Sequence, residues 1–393
     1  MIKCMYCREE FLPEDMTLEH TIPQFLGGAY ASSIFHSNDA CSRCNSNLGL
    51  FVDASFASNS LINGWLQLNG IDLYDPKSEE GIVPICMGCL DDDVLPPGLQ
   101  KTEVCELYIG ALGETVHWIR PDYQKFFGYV GGDPIKARRI PTRAYFAASI
   151  NTNKNPRITW NMFRDSFDKK KVTKISCTVF EGHDLKKIGF SDPDPLDCSR
   201  IDFFRHHINQ ENHVNMAINI QFDRRFMCKL AYGICYALFG EEVCNLEWGK
   251  QVIQAIRSSS PIDVSIHGSS IFTDFPQKST LLEIIGHELA VSIALLPIDS
   301  GVVVALTIGK NFHAAIRCDV GNDLLMKSKL PIDKNGVAIL CFKPIHKCIT
   351  MSIPELILHK DGKQSNDELR KVEKSAKGRE YFAALKSGCP LHC

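Results

Sequence analysis

The chain has 393 residues, 45% hydrophobic and 23% charged, a composition typical of a globular protein with room for more than one domain. Residues 1–12 are mixed in polarity and the apolar run 289–308 contains a proline, so we expect no signal peptide and no membrane insertion. The net charge of −3 excludes a generally basic protein. The chain has 17 cysteines and no predicted signal peptide, so we expect reduced thiols in the cytoplasm and a metal site.

Residues 1–58 form the first predicted unit, which carries two close pairs of cysteines. Two residues separate Cys4 from Cys7, and two residues separate Cys41 from Cys44. This gap lets both sulfurs of a pair bind one Zn²⁺, so the two pairs complete a closed tetrahedral site. A closed site has no open coordination position. We therefore expect structural zinc, which so small a unit needs in order to fold.

The rest of the chain is predicted to be α+β. Proline, glycine and aspartate dominate 75–98, so 59–100 is predicted to be a linker or connecting loops. A large domain of unknown topology, 101–393, is expected to supply substrate capture, homo-oligomerisation or control. Apolar residues at helical spacing predict helix in 222–257. The segments of strand-like length and composition are 104–120, 142–150, 174–181 and 284–343, the last including a buried hairpin at 289–308.

A distinctive motif lies between the two cysteine pairs and directly after them. Its residues are Glu19, His20, Pro23, Gly27, Gly28 and Asn45. With the flanking cysteines, this order of an acid-histidine dipeptide, a proline, two glycines and CxxCN resembles the zinc-stapled branch of the HNH endonuclease family. The resemblance covers about the first 55 residues. It implies a ββα-metal finger, in which two strands and a helix hold one catalytic divalent ion.

The resemblance also implies a role for each polar residue of the motif. His20 matches the general base, Glu19 the acidic metal ligand and Asn45 the second metal ligand. A neutral imidazole with a pKa of about 6.5 can take a proton from water at cellular pH. Carboxylate and amide oxygens are hard donors that suit Mg²⁺ or Mn²⁺, which would neutralise charge on the scissile phosphate.

The middle polar residue of the family has two candidates in this sequence. His36 lies where that residue falls when counted back from Cys41, and Asn38 has the more suitable chemical type. Either side chain could hydrogen-bond across the finger and hold His20 in place. The sequence leaves both open.

Two further groups of residues have the composition of binding sites. Cys86 and Cys89 form a third close pair, with Cys105 and His117 downstream, but no second knuckle accompanies them to complete a second zinc site. Basic residues near aromatic ones are the favoured contact for nucleic-acid phosphates, because arginine binds phosphate bidentately. These basic residues are Lys136, Arg138, Arg139 and Arg143.

The sequence therefore predicts a metal-dependent endonuclease that hydrolyses phosphodiester bonds, with double-stranded DNA as the expected substrate. Prokaryotic HNH proteins with a large unfamiliar domain often look like restriction or anti-phage defence effectors, and the resemblance implies that role here. The alternative is a non-catalytic zinc ribbon that binds nucleic acid or protein and is joined to a regulatory domain.

Overall fold

A computed structural model describes residues 1–123, 129–168, 170–180, 184–207, 213–216, 220–258, 268–270 and 284–387. The strands are β1 (Ile2–Lys3), β2 (Glu10–Phe11), β3 (Met16–His20), β4 (His36–Cys41), β5 (Ile85–Leu90), β6 (Glu103–Ile109), β7 (Thr115–Pro121), β8 (Thr142–Ala147), β9 (Val172–Ser176), β10 (Val214–Asn215), β11 (Gly268–Ser270), β12 (Val291–Ile298), β13 (Gly301–Ile308), β14 (Phe312–Cys318), β15 (Val337–Phe342) and β16 (Lys347–Ser352). The α-helices are α1 (Ser42–Leu48), α2 (Ala54–Ala57), α3 (Ser60–Asp72), α4 (Pro156–Asp165), α5 (Pro195–His207), α6 (Ile220–Phe239), α7 (Glu247–Arg257), α8 (Asn322–Leu325), α9 (Ile353–Lys360), α10 (Asp367–Ser375) and α11 (Gly378–Ser387). Among these described helices, none has the length and hydropathy needed to cross a bilayer.

The chain divides into two compact units, each built from two separate segments. The first unit comprises Met1–Ala57 and Asn219–Ser375, and the second comprises Ser58–Ile218 and Ala376–Cys393. These units differ from the three predicted segments. The α+β class is confirmed. The predicted linker, 59–100, holds α3 and β5 rather than only connecting loops. The predicted large domain, 101–393, contributes residues to both units. Residues from the second half of the chain join the N-terminal residues in one unit because α6 packs on the N-terminal finger.

The N-terminal finger has the expected ββα arrangement, and α6 covers its apolar side. Strands β3 and β4 pair antiparallel and α1 follows directly. The Phe226 ring of α6 stacks on Phe56 with centroids 4.0 Å apart, and its centroid is 5.5 Å from that of Phe25. A Cβ atom placed on Gly233 would lie 3.1 Å from Cβ of Thr21, so the helix approaches the finger closely at this glycine.

The first unit also contains an antiparallel sheet of order β11-β14-β13-β12-β15-β16. The hairpin of β12 and β13 pairs Val291 with Ile308 and Ile298 with Gly301. Most of its residues are buried, including Ile293. Burial of both faces explains why this sequence is continuously apolar rather than alternating. The buried hairpin predicted within 289–308 is therefore confirmed.

The second unit is built on a sheet of order β10-β5-β6-β7-β8-β9, in which β8 and β9 pair parallel and the other pairs are antiparallel. Trp118 and Ile119 are neighbours on β7 but belong to different buried clusters, because successive strand residues face opposite sides. Phe163 of α4 packs in the Trp118 cluster, and Phe204 of α5 packs in the Ile119 cluster. Helices therefore cover both faces of this sheet.

Replacement of the aromatic ring between α6 and the finger should destabilise the first unit. Phe226→Ala removes a fully buried ring and leaves a cavity beside Phe56. We expect a loss of about 3–5 kcal/mol in the free energy of unfolding, measured by urea denaturation. Met326→Ala is the control, because that side chain is 82% exposed and its loss should change stability by less than about 0.5 kcal/mol. Equal effects of the two substitutions would contradict the packing role of α6.

Candidate active site

The cysteine pairs at the N-terminus converge on one point. Sγ atoms of Cys4, Cys7, Cys41 and Cys44 all lie within 4.8 Å of one another. The backbone N–H of Cys41 donates to Sγ of Cys4 at 3.3 Å, and the N–H of Cys44 donates to Sγ of Cys41 at 3.4 Å. A hydrogen bond with the Cys44 thiol lowers the pKa of Cys4 to about 4, against the effect of burial. Four sulfurs at this spacing fit one tetrahedral Zn²⁺, as predicted.

Local backbone geometry sets the two cysteine pairs. Cys4 and Cys7 lie in the turn between β1 and β2, where the backbone N–H of Arg8 donates to the carbonyl of Cys4 and Arg8 has φ of 63°. Cys41 ends β4 and caps the N-terminus of α1, and Cys44 follows in the first turn of that helix. The zinc site thus joins the N-terminal turn to the end of the β-pair and the start of the helix.

Glu19 and His20 occupy the end of β3 but have different surroundings. Glu19 pairs with Ser37 across the sheet, and His20 pairs with His36, after an irregularity in register between Thr17 and Glu19. The Glu19 side chain is only 3% exposed, whereas His20 is half-buried at the surface. This difference fits the strand geometry, in which adjacent side chains point to opposite faces.

His20 lies against a second histidine and a glutamine at the surface of the finger. Its ring is 4.6 Å from the ring of His36, edge to face, and its Nδ1 accepts from the amide of Gln24 at 3.3 Å. Burial lowers the pKa of His20, and the charge of His36 lowers it further, while Glu19 opposes both. The imidazole is therefore neutral at neutral pH, with its lone pair at Nδ1. The contact with exposed Gln24 is long enough for water to replace it.

His36 and Asn38, the two candidates for the middle residue, are placed differently by β4. Nε2 of His36 donates to the carbonyl of Gly28 at 3.2 Å, so this ring joins the glycine loop to the β-pair and packs on His20. Asn38 is exposed two residues further along the strand. Gln24 is a further neighbour of His20, to which the sequence analysis gave no role although it follows His20 by four positions.

Asn45 is anchored to the strand that carries the acidic residue. Its amide nitrogen, on α1, donates to the carbonyl of Leu18 at 3.0 Å and to Oγ1 of Thr17 at 3.1 Å. These bonds tie the helix to β3 immediately before Glu19. They use only the amide nitrogen, so the amide oxygen takes no part in them.

The Glu19 carboxylate belongs to a buried polar network that the sequence did not predict. Oε1 of Glu19 accepts from the Tyr6 hydroxyl at 2.8 Å and lies 3.0 Å from Nζ of Lys229. The same ammonium lies 2.5 Å from Oδ2 of Asp53. Burial lowers the pKa of Lys229, but the two carboxylates outweigh burial and raise it, so the ammonium stays charged. Burial raises the pKa of Asp53 to about 6, despite this ammonium.

The donors fit a divalent ion in chemistry, but they do not form a finished ion site. A carboxylate and an amide oxygen are the hard ligands that Mg²⁺ or Mn²⁺ prefers. An ion site built from His, Cys, Asp or Glu needs three or more of these side chains close together. Among the described residues, the four zinc cysteines meet this condition, and Glu19 does not belong to such a group. Any divalent ion at Glu19 would compete with Lys229 for the same carboxylate.

The predicted basic cluster lies in the second unit. Lys136, Arg138 and Arg139 are exposed in or next to a short 3-10 turn. Arg143, on β8, instead forms ion pairs with Asp194 and Asp197, which neutralise its guanidinium within the unit. Three of the four predicted phosphate contacts are therefore presented to solvent together, and Arg143 is separate from them.

Cys86 and Cys89, the third cysteine pair, are not assembled as a second zinc site. Both are buried on β5, as is Cys105 on β6. The His117 ring stacks on Phe204 with centroids 4.1 Å apart, and burial lowers its pKa to about 3. In the described part of the chain, these residues form no group of three ligands within ion-binding distance. Packing accounts for their positions.

The first unit also contains a cavity of about 520 Å³, lined in part by His287 and Glu373. Nδ1 of His287 accepts from the backbone N–H of Leu289 at 3.3 Å, so a neutral ring carries its proton on Nε2. That nitrogen donates to Glu373 at 3.1 Å. His287 is therefore held as a hydrogen-bond donor and does not offer a lone pair to a metal.

Comparison with known families agrees with this geometry. The finger has the class features of a zinc-stapled ββα module with a histidine at the end of its first strand. Residues 4–61 match the family model described as HNH endonuclease, which confirms the resemblance for the N-terminal module. No curated protein and no solved structure gives a match. The module match supports a nuclease-like function, nucleic-acid binding and zinc binding.

Loss of one zinc ligand should unfold the finger rather than merely slow a reaction. Cys4→Ser and Cys41→Ser each leave three sulfurs, and folding of so small a module depends on the metal. We expect zinc content near zero in a chelator assay and a lower thermal midpoint. Cys198→Ser is the control, because Cys198 is an exposed thiol in the second unit. A Cys41→Ser protein with full zinc content and unchanged thermal stability would show that the ligand set is misassigned.

Proposed function

We propose that the protein is a metal-dependent endonuclease in which His20 activates water to hydrolyse a nucleic-acid phosphodiester bond. The observation that supports this most directly is the placement of His20. The half-buried, neutral imidazole packs on His36 inside a module that matches the HNH endonuclease family. A base of this kind typically contributes about 100- to 10,000-fold to a rate.

In this proposal, the surrounding residues hold the base in place. His36 is the middle residue of the motif, because its bond to Gly28 fixes the ring that supports His20. Asn38 then has no role in catalysis. A water that replaces Gln24 at Nδ1 of His20 gives up its proton to that nitrogen and forms a bond to the phosphorus atom. The bond between phosphorus and the 3′ oxygen breaks, and the leaving 3′ oxygen takes a proton from solvent.

We assign Glu19 and Asn45 as the ligands of a catalytic Mg²⁺ or Mn²⁺. When bound, such an ion neutralises charge that develops on the phosphate and on the leaving oxygen. The chain's own contribution is orientation. Tyr6 fixes the Glu19 carboxylate, and the bonds from the Asn45 amide nitrogen to Thr17 and Leu18 fix the Asn45 side chain against β3, the strand that carries Glu19.

The proposed substrate is double-stranded DNA, which the protein cuts with little sequence preference. The proposed location of the protein is the cytoplasm. Lys136, Arg138 and Arg139 supply exposed positive charge that suits contacts with backbone phosphates, which carry no base information. We leave Arg143 out of this surface, because its charge is neutralised by aspartates. Restriction or anti-phage defence is the proposed biological role, with the remainder of the chain supplying substrate capture, homo-oligomerisation or control.

One observation favours a second candidate function. The Glu19 carboxylate is already bound by Lys229 and Tyr6, as expected if the finger were a non-catalytic zinc module that binds nucleic acid or protein. In that case His20 would be a surface residue, and the buried network would only stabilise the fold. The two candidates predict different behaviour towards DNA.

A plasmid-nicking assay separates the two functions. The wild-type protein should nick supercoiled plasmid with Mg²⁺ or Mn²⁺ but not with EDTA, and His20→Ala should reduce the rate by at least about 100-fold. His206→Ala is the matched control, because His206 is an exposed histidine of the second unit. If both the wild-type and His20→Ala proteins bind DNA equally and neither cuts it with any metal, the binding module is the correct function.

The pH dependence of nicking should report the lowered pKa of His20. Below its pKa the imidazole is protonated and cannot accept a proton from water, so the rate falls as pH falls. Because burial and His36 lower this pKa from 6.5, the rate should still exceed half of its maximum at pH 6.5 and reach half only at a lower pH. The measurement is the initial nicking rate against pH at saturating Mn²⁺. A rate that already declines between pH 8 and pH 7 would argue against His20 as the base.

A further inference from the structure

Lys229 provides a cation to the carboxylates of the finger. Its Nζ lies 3.0 Å from Oε1 of Glu19 and 2.5 Å from Oδ2 of Asp53. The Lys229 and Glu19 side chains are 4% and 3% exposed, so water screens their attraction poorly. An ammonium is a compact point charge with three donors, which allows it to bridge two carboxylates as a small metal ion can.

The position of Lys229 is fixed by its neighbours on α6. Phe226 stacks on Phe56 one turn earlier. The Tyr232 hydroxyl donates to the carbonyl of Met5 at 2.6 Å, one turn later. Residues spaced by three or four positions share one helix face, so Lys229 lies in the middle of the face that contacts the finger. The backbone at Lys229 is thus held, so any change of partner by the ammonium must come from rotation of its side-chain torsion angles.

We infer that Lys229 is an active-site residue whose ammonium competes with the divalent ion for Glu19, and that ion binding requires the ammonium to move onto Asp53 alone. This inference rests on the proposed function, since it concerns the ion assigned to Glu19 and Asn45. It adds a requirement that the motif does not contain: the ion must overcome a cation supplied from outside residues 4–61.

Asp53 is suited to receive the displaced ammonium. It already binds Nζ of Lys229 through Oδ2. Its other oxygen, Oδ1, is buried and has no hydrogen-bond partner among the described residues. A buried carboxylate oxygen without a donor is costly, so an ammonium that leaves Glu19 gains a second contact there. The exchange keeps both carboxylates neutralised, one by the ion and one by Lys229.

The first test measures Mn²⁺ affinity of the full-length, zinc-loaded protein by the electron paramagnetic resonance signal of free Mn²⁺. Removal of the competing charge in Lys229→Met should lower the Kd for Mn²⁺ by at least about tenfold. Lys229→Arg retains a cation and should bind Mn²⁺ as weakly as the wild type. Lys250→Met is the control, because Lys250 is exposed on α7 and should have no effect. Unchanged or weaker binding in folded Lys229→Met would overturn the inference.

A second test uses the wild-type fold and so does not depend on the stability of Lys229→Met. The protein is labelled with ¹³C at lysine Cε and observed by NMR. The Lys229 resonance is assigned as the one that disappears from the spectrum of Lys229→Arg. Titration with diamagnetic Mg²⁺ should shift this resonance with the same midpoint as Mg²⁺ binding, because the ammonium changes partners. A Lys229 resonance that stays constant while Mg²⁺ saturates the protein would contradict the exchange.

Glu19→Gln distinguishes failure of this inference from failure of the proposed function. Loss of Mn²⁺ binding in Glu19→Gln, without tighter binding in Lys229→Met, overturns the inference alone. Full Mn²⁺ binding in Glu19→Gln overturns both the inference and the assigned ion site. If Lys229→Met binds Mn²⁺ more tightly and Glu19→Gln abolishes that binding, the inference is supported even when no variant nicks DNA. In that case only the proposed hydrolysis of DNA is wrong.

Discussion

The contact between Lys229 and Glu19 is the interaction on which the rest of the first unit depends. A carboxylate that is 3% exposed would cost several kcal/mol without a partner, so Glu19 can be buried only because an ammonium and the Tyr6 hydroxyl accompany it. The ammonium comes from α6, far along the chain. The finger therefore has its complete set of interior contacts only with α6 in place, which explains why the first unit is discontinuous.

Zinc and α6 stabilise different parts of the finger. The four sulfurs join the N-terminal turn to the start of α1, and they set the path of the backbone. The helix supplies what a small module lacks, an apolar face and a counter-charge. His20 and His36 remain half-buried at the surface, while Glu19 lies in the interior. The proposed base is thus open to water, whereas the Glu19 carboxylate is already bound by Lys229 and Tyr6, and this difference is the main chemical feature of the site.

Features set by local spacing could be predicted from the sequence. The zinc cluster follows from two short cysteine gaps, and the ββα order and the hairpin of β12 and β13 follow from motif and composition. Features set by contacts between residues far apart in the sequence could not be predicted. Lys229 and Asp53 are 176 positions apart, and a lone lysine in an apolar helix gave only a weak signal. The predicted linker began too early, because the proline-rich composition starts only at Pro76, after the helix Ser60–Asp72 has ended.

The account depends on one arrangement: a divalent ion bound by Glu19 and Asn45 on the finger that carries His20. Crystals soaked in Mn²⁺ and measured at the manganese absorption edge test it directly. The account predicts an anomalous peak within about 2.5 Å of both a Glu19 carboxylate oxygen and the Asn45 amide oxygen, with Lys229 turned towards Asp53. An anomalous peak elsewhere, with the Lys229 ammonium still on Glu19 at saturating Mn²⁺, would contradict it.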